Sequence, residues 1–314
     1  MAALGRLKGS RELVLFGVLV AIVIIMSQFS PLFLTLSNLL NTSRYFAEIG
    51  LIALGMTLII ITGGIDLSVG AALAMISVAL GFSYAAGLPL PLAIVLALLV
   101  GLAGGLFNGA FVTALRLHPL VVTLGTFSFF RGIAYVWSDA DAVSEYPPWF
   151  AYFGQFYAGP VPGQLILFVV AVVAFGLLLS RTTFGRYVYA IGSNEEAARF
   201  SGVPVRKVKL ALYATIGFMT ALAAIVYTSR VSTARADSGL GLEIDVIAAV
   251  VLGGASIYGG KGSIAGTILG VLIIATLRNG LILAGVSSTW QQFLLGVLLI
   301  AAVFINEFFR KGEE

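Results

Sequence analysis

The feature of the sequence that most constrains its fold is a series of long apolar runs that are almost free of charged residues. One of them, 164–180, reads QLILFVVAVVAFGLLLS and contains no Asp, Glu, Lys or Arg. An α-helix needs about 20 mostly apolar residues to span the hydrocarbon core of a bilayer. We therefore predict an all-α integral membrane protein with about ten transmembrane helices. The runs lie at 13–34, 45–62, 66–87, 91–115, 118–138, 164–180, 209–231, 246–258, 264–284 and 288–306.

The overall composition supports a membrane location. Hydrophobic residues make up 60% of the 314 positions and charged residues 10%, whereas a soluble globular domain carries roughly 25% charged residues. This is too little charge to cover a water-facing surface, so we predict a single transmembrane domain over 1–314. The first run follows basic residues but has no small-x-small cleavage site before Pro31, which favours an uncleaved first helix over a signal peptide.

Basic residues indicate how the predicted helices are oriented, because Lys and Arg are retained on the cytoplasmic side of a membrane. With the N-terminus inside, thirteen of the 18 basic residues fall on the inner side, and six of these lie in the loop 181–209. The loop 139–163 contains acidic residues but no Lys or Arg, and falls on the outer side. We therefore predict that both termini are cytoplasmic, and that the net charge of +4 reflects topology rather than nucleic-acid binding.

Two of the predicted helices are interrupted by glycine pairs, within 53–70 and 248–266. Backbone groups freed by such a break are tolerated in a membrane only inside the protein or against a water-filled cavity. We predict that both breaks line a solute path; a simple packing bend is the alternative. Asp66, just after the first break, is expected to cap a helix that begins at Leu67. The candidate translocation-path residues are Gly63, Gly64, Asp66, Ser68, Gly253 and Gly254.

Two arginines fall within predicted spans. A charged side chain is costly inside a bilayer, so Arg131 and Arg278 are expected to have a specific reason to be there. Each would either pair with a polar neighbour such as Asn279 or Glu48 or line a polar translocation path. The sequence leaves both readings open.

The sequence carries little material for catalysis. It has no cysteine and a single histidine, His118, which excludes thiolate chemistry and a zinc site of several histidines. The segment 255–263, ASIYGGKGS, is not a P-loop, because Ala255 and Gly262 occupy positions that require Gly and Ser or Thr. Few acidic residues could serve an ion-coupled carrier. We predict no enzymatic activity, no metal and no cofactor, and expect another protein to supply the energy for uphill transport.

The loop 181–209 contains the signals of one short helix. A polar cap precedes two acidic residues in the first turn, a basic residue follows at helical spacing, and a Gly with a nearby Pro ends the helix. About eight residues are too few for a stable isolated helix. The segment therefore needs a protein partner or the anionic membrane surface, and its periodicity leaves both open. The signals are carried by Ser193 or Asn194, Glu195, Glu196, Arg199, Gly202 and Pro204.

Three long segments resemble the signature stretches of the ribose-type ABC sugar-import permeases, the membrane-spanning subunits of monosaccharide importers. They are ALGMTLIIITGGIDLSVGA at 53–71, TTFGRYVYAIGSNEEAARFSGVPV at 182–205 and LEIDVIAAVVLGGASIYGGKGSIAGTILG at 242–270, and the resemblance extends from about residue 38 to 306. In that family, the stretch similar to 182–205 couples the permease to a cytoplasmic ATPase. The resemblance thus implies ATPase-coupling residues at Gly192, Asn194, Glu195, Glu196, Ala198, Arg199 and Gly202.

The resemblance also implies a function and a set of partners. A monosaccharide or similar small polyol, delivered by a periplasmic substrate-binding protein, would cross the bacterial inner membrane by alternating access driven by a separate ABC ATPase. The permease would work in membrane lipid beside a second copy or a related permease. The residues themselves leave three rivals open: a passive channel, an ion-coupled carrier and a scaffold subunit. Aromatic residues at 149–157 are expected to form an interfacial belt or to contact the binding protein.

Overall fold

The structure is a computed structural model that describes residues 2–311, with side chains described for 12–298 and for residue 300. Residue 1 and residues 312–314 of the predicted domain lie outside the described residues. Helix accounts for 76% of the chain. The helices are α1 (Ala2–Ser27), α2 (Leu36–Ile61), α3 (Val69–Ala85), α4 (Leu90–Ala114), α5 (Pro119–Ser138), α6 (Pro148–Gln155), α7 (Gly163–Arg181), α8 (Thr183–Ser193), α9 (Glu195–Phe200), α10 (Val205–Val231), α11 (Leu242–Leu252), α12 (Ile264–Leu283) and α13 (Ser288–Lys311), with strands β1 (Tyr157–Ala158) and β2 (Val161–Pro162).

The described helices support an all-α membrane protein. Six of them are long and apolar enough to cross a bilayer, namely α2, α4, α5, α7, α10 and α12, and two shorter apolar helices are Glu12–Ser27 and Val69–Ala85. The predicted count of ten transmembrane helices is not confirmed. In place of the predicted span at 246–258 there is α11, whose 11 residues extend about 16 Å, roughly half the thickness of a hydrocarbon core. The orientation of the termini stays a prediction, because their basic side chains lie outside the described ones.

The core of the bundle surrounds α2 and α10. All residues of α2 from Ala47 to Ile61 are buried, because α10, α12, α7 and α11 cover this helix. α10 also packs closely against α4, since a Cβ added to Gly101 would lie 2.6 Å from Ala221 Cβ and 2.7 Å from the carbonyl oxygen of Gly217. Small residues at such a contact let membrane helices approach closely. The largely exposed apolar faces of α4 and α7 are left for lipid.

Two helices, α8 and α9, lie between α7 and α10, where the sequence predicted one. Thr182 caps α8, with Gly185 N 3.2 Å from its Oγ1. Asn194 caps α9 as predicted, with Ala197 N 2.9 Å from its Oδ1. α9 has six residues rather than eight, because Gly202 turns the chain with a φ of +84°. We call the end of the bundle that carries α8 and α9 the inner end, and the opposite end the outer end.

The outer-end connection 139–163 contains α6 and the β1–β2 hairpin. Phe150 is fully buried, whereas Trp149, Tyr152 and Phe153 each expose about half of their surface or more. α6 is joined to α10 because Ser229 Oγ accepts a hydrogen bond of 2.6 Å from Gly154 N and donates one to the carbonyl of Phe150. The predicted aromatic cluster is therefore divided between one core residue and several exposed rings.

The segment that joins α10 to α11, residues 232–241, descends from the outer end into the bundle; we call it the descending segment. Near its start, Ala234 pairs with Val143 through N–O distances of 2.8 and 3.1 Å and lies beside Gly81 of α3. Near its end, Gly239 lies against Gly70 at the start of α3. These two α3 positions are about 16 Å apart along the helix axis. α11 therefore begins inside the bundle, and its short length completes the passage to the inner end.

Candidate functional site

The loop that follows α2 and the loop that follows α11 meet at the inner end. The carbonyl of Ile61, the last residue of α2, accepts a hydrogen bond of 2.8 Å from Gly260 N in the loop after α11. Gly63 and Gly259 have φ angles of +77° and +89°, which favour glycine, and a Cβ on Gly259 would lie 3.1 Å from Gly63 N. α2 and α11 both end just before a predicted glycine pair, but the contact with the first pair is made by Gly259 and Gly260 and not by the predicted Gly253 and Gly254. We call this contact the inner junction.

Gly253 and Gly254 lie at the end of α11. Their N–H groups donate hydrogen bonds of 2.9 Å to the carbonyls of Ala249 and Val251. Gly253 packs closely against α12, since an added Cβ would lie 2.8 Å from Thr267 N. In this conformation Gly253 faces another helix rather than an open path.

α8 rests directly on the inner junction. The hydroxyl of Tyr189 donates a hydrogen bond of 2.8 Å to the carbonyl of Gly262. Gly192 has no room for a side chain, because an added Cβ would overlap the carbonyl oxygen of Ile61 and lie 2.6 Å from Gly260 N. Gly192, one of the predicted coupling residues, thus lies against the backbone of both loops. Sequence reasoning missed α8, although its amphipathic spacing is a signal that could have found it.

Most of the other predicted coupling residues lie on α9. Glu195 forms ion pairs with Arg199 at 3.1 Å and with Lys209 of α10 at 2.5 Å. Partial burial raises the pKa of Glu195, but the hydrogen bond and charge of Lys209, together with Arg199, outweigh it and hold this pKa below its ordinary value of 4.5. Ala198 is buried on the face of α9 that packs toward the bundle. These contacts stabilise a helix that is too short to be stable alone.

The opposite face of α9 carries Phe200 and Glu196. Phe200 is 90% exposed, more than any other large hydrophobic side chain in the described part of the chain, and Glu196 is exposed beside it. An exposed aromatic ring within a charged, well-anchored segment is typical of an interaction surface. Sequence reasoning missed Phe200, because local sequence does not tell which face of a short helix is covered.

A cleft of about 410 Å³ lies between α9 and the turn that joins α4 to α5. Its charged lining is mostly basic, with Arg116, Arg199, Arg206 and Lys209 opposite the single carboxylate of Glu195. This excess of positive charge gives the inner end a surface that attracts acidic groups.

Asp66 lies in a buried polar cluster between α2 and α3. Its Oδ1 accepts hydrogen bonds from Ser68 N at 2.8 Å and Ser68 Oγ at 2.6 Å, and its Oδ2 accepts one of 3.3 Å from Asn108 Nδ2. Gly64 ends the turn before this cluster with a hydrogen bond to the last turn of α2. The predicted capping role is wrong, because α3 begins at Val69, two residues later than expected. Asp66 instead holds the turn that precedes the helix.

Two ion pairs between helices join residues that sequence reasoning did not pair. Arg278 pairs with Asp245 of α11, and Glu48 accepts hydrogen bonds of 2.6 and 3.1 Å from Arg230 of α10. The expected partner Asn279 bonds to an asparagine of α2 instead. These pairs join helices that are distant in sequence, so spacing along the chain could not reveal them. Within the described part of the chain, His, Asp and Glu form no group of three that could hold a metal ion.

Arg131 differs from these residues because its contacts are with backbone. Its Nη1 donates hydrogen bonds of 2.6 and 2.8 Å to the carbonyls of Ala236 and Ser238 in the descending segment. Its Nε and Nη2 are buried and have no hydrogen-bond partner among the described residues, and the same is true of Oε2 of Glu243 at the start of α11. Arg131 therefore holds the descending segment while part of its guanidinium stays unsatisfied.

Comparison with known proteins places this architecture in a family. Residues 38–303 match the family described as branched-chain amino acid transport system / permease component. The chain belongs to this permease family. The inner junction, α8, α9 and the descending segment all fall within the matched residues.

Two relatives illustrate how much of the permease is shared. The ribose import permease protein RbsC of Bacillus subtilis (strain 168) is 43% identical over 287 residues, which cover 91% of this chain and 89% of the relative. The autoinducer 2 import system permease protein LsrD of Escherichia coli (strain K12) is 38% identical over 304 residues, which cover 95% of this chain and 92% of the relative. No solved structure matches the chain. The permease is thus similar over nearly its whole length to subunits of import systems.

Proposed function

We propose that this permease is the membrane-spanning subunit of an ABC importer for a monosaccharide or similar small polyol, working in the inner membrane of a bacterium. The names of its relatives refer to the import of ribose and of autoinducer 2. The observation that carries the proposal is the position of α8, which contacts both helix breaks through Gly192 and Tyr189. A segment placed there can pass a movement at the inner end into the interior of the bundle.

The inner end faces the cytoplasm in this proposal, and α9 docks into a groove on a separate ATPase. Phe200 supplies the apolar side chain that fills the groove, since exposed aromatic residues dominate binding at many interfaces. Glu196 and Arg199 provide charges around it, and the basic cleft beside α9 attracts acidic residues of the partner. The ion pairs of Glu195 hold α9 in a fixed orientation before docking.

Transport follows from the connection between docking and the inner junction. Closure of two ATPase subunits on ATP displaces α9, and α8 transmits the displacement because Gly192 leaves no slack between α8 and Ile61. The ends of α2 and of the loop after α11 then move together. The bundle thereby changes between conformations open to opposite sides, which is alternating access by a population shift that ATP binding drives.

The outer end receives the loaded substrate-binding protein. The exposed rings of Trp149, Tyr152 and Phe153 and the descending segment offer the contacts, so that the solute is released where 232–241 enters the bundle. A second permease, identical or related, completes the membrane part of the importer. The permease binds no nucleic acid, and the partner ATPase performs all the catalysis.

Reconstitution tests the docking assignment. The permease is placed in proteoliposomes with its ATPase and its loaded binding protein, and the triple variant Glu195→Ala, Glu196→Ala, Arg199→Ala is compared with the wild type. We expect the variant to insert normally but to lose ATP-driven uptake and stimulated ATP hydrolysis. Ser180→Ala and Thr215→Ala are controls, because their hydroxyls bond only within their own helices. Normal rates in the triple variant would show that α9 is not the docking site.

Two further measurements distinguish this function from its rivals and identify the transported solute. Sugar uptake by the isolated permease, without ATPase or binding protein, would support a passive channel or an ion-coupled carrier instead. A thermal-shift screen of the binding protein with pentoses, hexoses and deoxysugars identifies the solute. We expect stabilisation by a neutral sugar or a similar polyol.

A further inference from the structure

The side chains of Arg131 and Glu243 carry buried polar atoms without partners. Each side chain is only 8% exposed. Nε and Nη2 of Arg131 and Oε2 of Glu243 have no hydrogen-bond partner in the described chain. Nearly all buried polar groups of native proteins are hydrogen-bonded to protein or to another molecule. These three atoms therefore indicate a site whose last component comes from outside the chain.

The two side chains belong to one site. Among the contacts of the described residues, no hydrogen bond or ion pair joins them, but both lie against the same short stretch of backbone. The carboxylate of Glu243 lies against Gly70 at the start of α3, beside the carbonyl of Gly239. Arg131 holds the carbonyl of Ser238 at 2.8 Å, one residue earlier. The end of the descending segment thus places the opposite charges of Arg131 and Glu243 close to each other without an ion pair between them.

The ion pair of Glu48 and Arg230 shows how a Glu and an Arg side chain in the same bundle satisfy each other. There the guanidinium donates through Nε and Nη2 to both carboxylate oxygens, at 2.6 and 3.1 Å. Such a bidentate contact satisfies the atoms on both sides. Arg131 leaves the corresponding two nitrogens free, so the open site keeps two donors and one acceptor for a third molecule.

We propose that the transported solute binds between Arg131 and Glu243 through neighbouring hydroxyl groups, an inference that rests on the proposed function. A hydroxyl group can accept a hydrogen bond from the guanidinium and donate one to the carboxylate. Two adjacent hydroxyls therefore satisfy all three atoms at once. An anionic solute is repelled by Glu243 and a cationic one by Arg131, so the site favours a solute without net charge, which the proposed function makes a polyol.

Ser77 lies on the route to this site. It is seven residues after Gly70 and four before Gly81, so all three share one face of α3. The two glycines contact the descending segment, and Ser77 is fully buried with an unpartnered hydroxyl among the described residues. A solute that moves inward along the descending segment passes this hydroxyl before it reaches Arg131 and Glu243.

Uptake measured together with ATP hydrolysis tests the site. Glu243→Gln and Arg131→Lys are reconstituted with the ATPase and binding protein, with radiolabelled ribose as the first probe and other neutral pentoses and hexoses after it. We expect the sugar moved per ATP hydrolysed to fall about tenfold, while stimulated ATP hydrolysis stays within roughly twofold of the wild type. Ser180→Ala is the control. An unchanged ratio, or an equal loss of uptake and hydrolysis, would overturn the proposal.

A labelling experiment keeps the proposal testable if those variants fail to fold. The chain contains no cysteine, so Ser77→Cys introduces a single thiol. We expect a methanethiosulfonate reagent to label it in at least one nucleotide state, and saturating ribose or the accepted sugar to slow the labelling several-fold. Labelling that sugar does not change, or no labelling in any state, contradicts the site. Absence of ATP-dependent uptake by the unmodified permease would instead overturn the proposed function.

Discussion

The inner junction and the Arg131–Glu243 site are built in opposite ways. At the inner junction, α8, the end of α2 and the loop after α11 meet backbone against backbone, and Gly192 leaves no space even for a methyl group. Around Arg131 and Glu243, buried polar atoms remain without partners in the described chain. Close-packed contacts transmit displacement, whereas unsatisfied polar groups remain available for the proposed solute.

Under the two proposals above, energy coupling and solute binding therefore occupy separate regions of one bundle. α11 connects them, because it begins beside the Arg131–Glu243 site and ends at the loop that contacts Ile61. A displacement of that loop is passed along only 11 residues of helix to the residues proposed to hold the solute. Substitutions that disrupt the inner junction and the Arg131–Glu243 site one at a time test this division of roles.

Substitution at Gly192 should have the largest effect. In Gly192→Ala the new methyl group collides with the carbonyl of Ile61 and with Gly260 N, and these backbone atoms cannot move without shifting both breaks. We expect a loss of roughly 1–3 kcal/mol in stability and loss of ATP-driven uptake, measured by thermal unfolding and reconstituted transport. Gly176→Ala is the matched control, since its Cβ would meet nothing within 4 Å. Equal behaviour of the two variants would refute tight packing at the junction.

Gly70→Ala tests the Arg131–Glu243 site. Its methyl group would collide with the Glu243 carboxylate and lie 2.6 Å from the carbonyl oxygen of Gly239. The carboxylate can move aside, but the Gly239 carbonyl belongs to the backbone, so we expect a stability loss of roughly 1–3 kcal/mol and, in addition, a reduction of about tenfold in sugar moved per ATP. Gly132→Ala, which has open space around it, should change neither quantity. A purely structural effect would lower uptake and hydrolysis together.

Phe200→Ala should weaken docking without affecting the bundle. Because the ring is 90% exposed, its removal leaves the stability of the isolated permease unchanged. A central aromatic residue contributes about 2 kcal/mol or more to binding, so we expect the affinity for the ATPase to fall by at least about tenfold. Leu177→Ala, another exposed apolar change, is the control. Unaltered affinity in a pull-down titration would remove α9 from the interface.

The smallest expected effect is the pH dependence of hydrogen exchange in α9. The pKa of Glu195 lies below 4.5, since the ion pairs with Lys209 and Arg199 outweigh partial burial. Stabilisation by a carboxylate with a lowered pKa is present above its unfolded pKa and is lost as pH falls through the folded value. Hydrogen exchange in α9 should thus be unchanged between pH 7 and pH 5, after correction for the intrinsic rate, and should accelerate only below pH 4.5. Glu195→Gln should lack this acceleration, and a transition above pH 5 would contradict the assignment.

Features that depend on neighbouring residues were predictable from the sequence. Six of the ten apolar runs fall on described helices long enough to span a bilayer, α2 and α11 end just before the glycine pairs, and Asn194 caps α9. The capping role of Asp66 was wrong by a small margin, because a turn with Ser68 delays α3 by two residues. Each of these outcomes follows from chemistry within a few residues, which is why local patterns contain the information.

Features that depend on distant residues became visible only in the folded chain. The sequence alone determined a multi-helix membrane protein without catalytic groups, because apolar run length and residue content are properties of the chain itself. Tertiary packing decided that the loops after α2 and α11 touch, that α8 lies against both, and that Arg131 and Glu243 lie near the same backbone segment without pairing. The physical reason is that hydrogen bonds and close contacts between helices depend on residues that are far apart in the sequence, such as the bonded Thr57 and Thr267, which are 210 places apart.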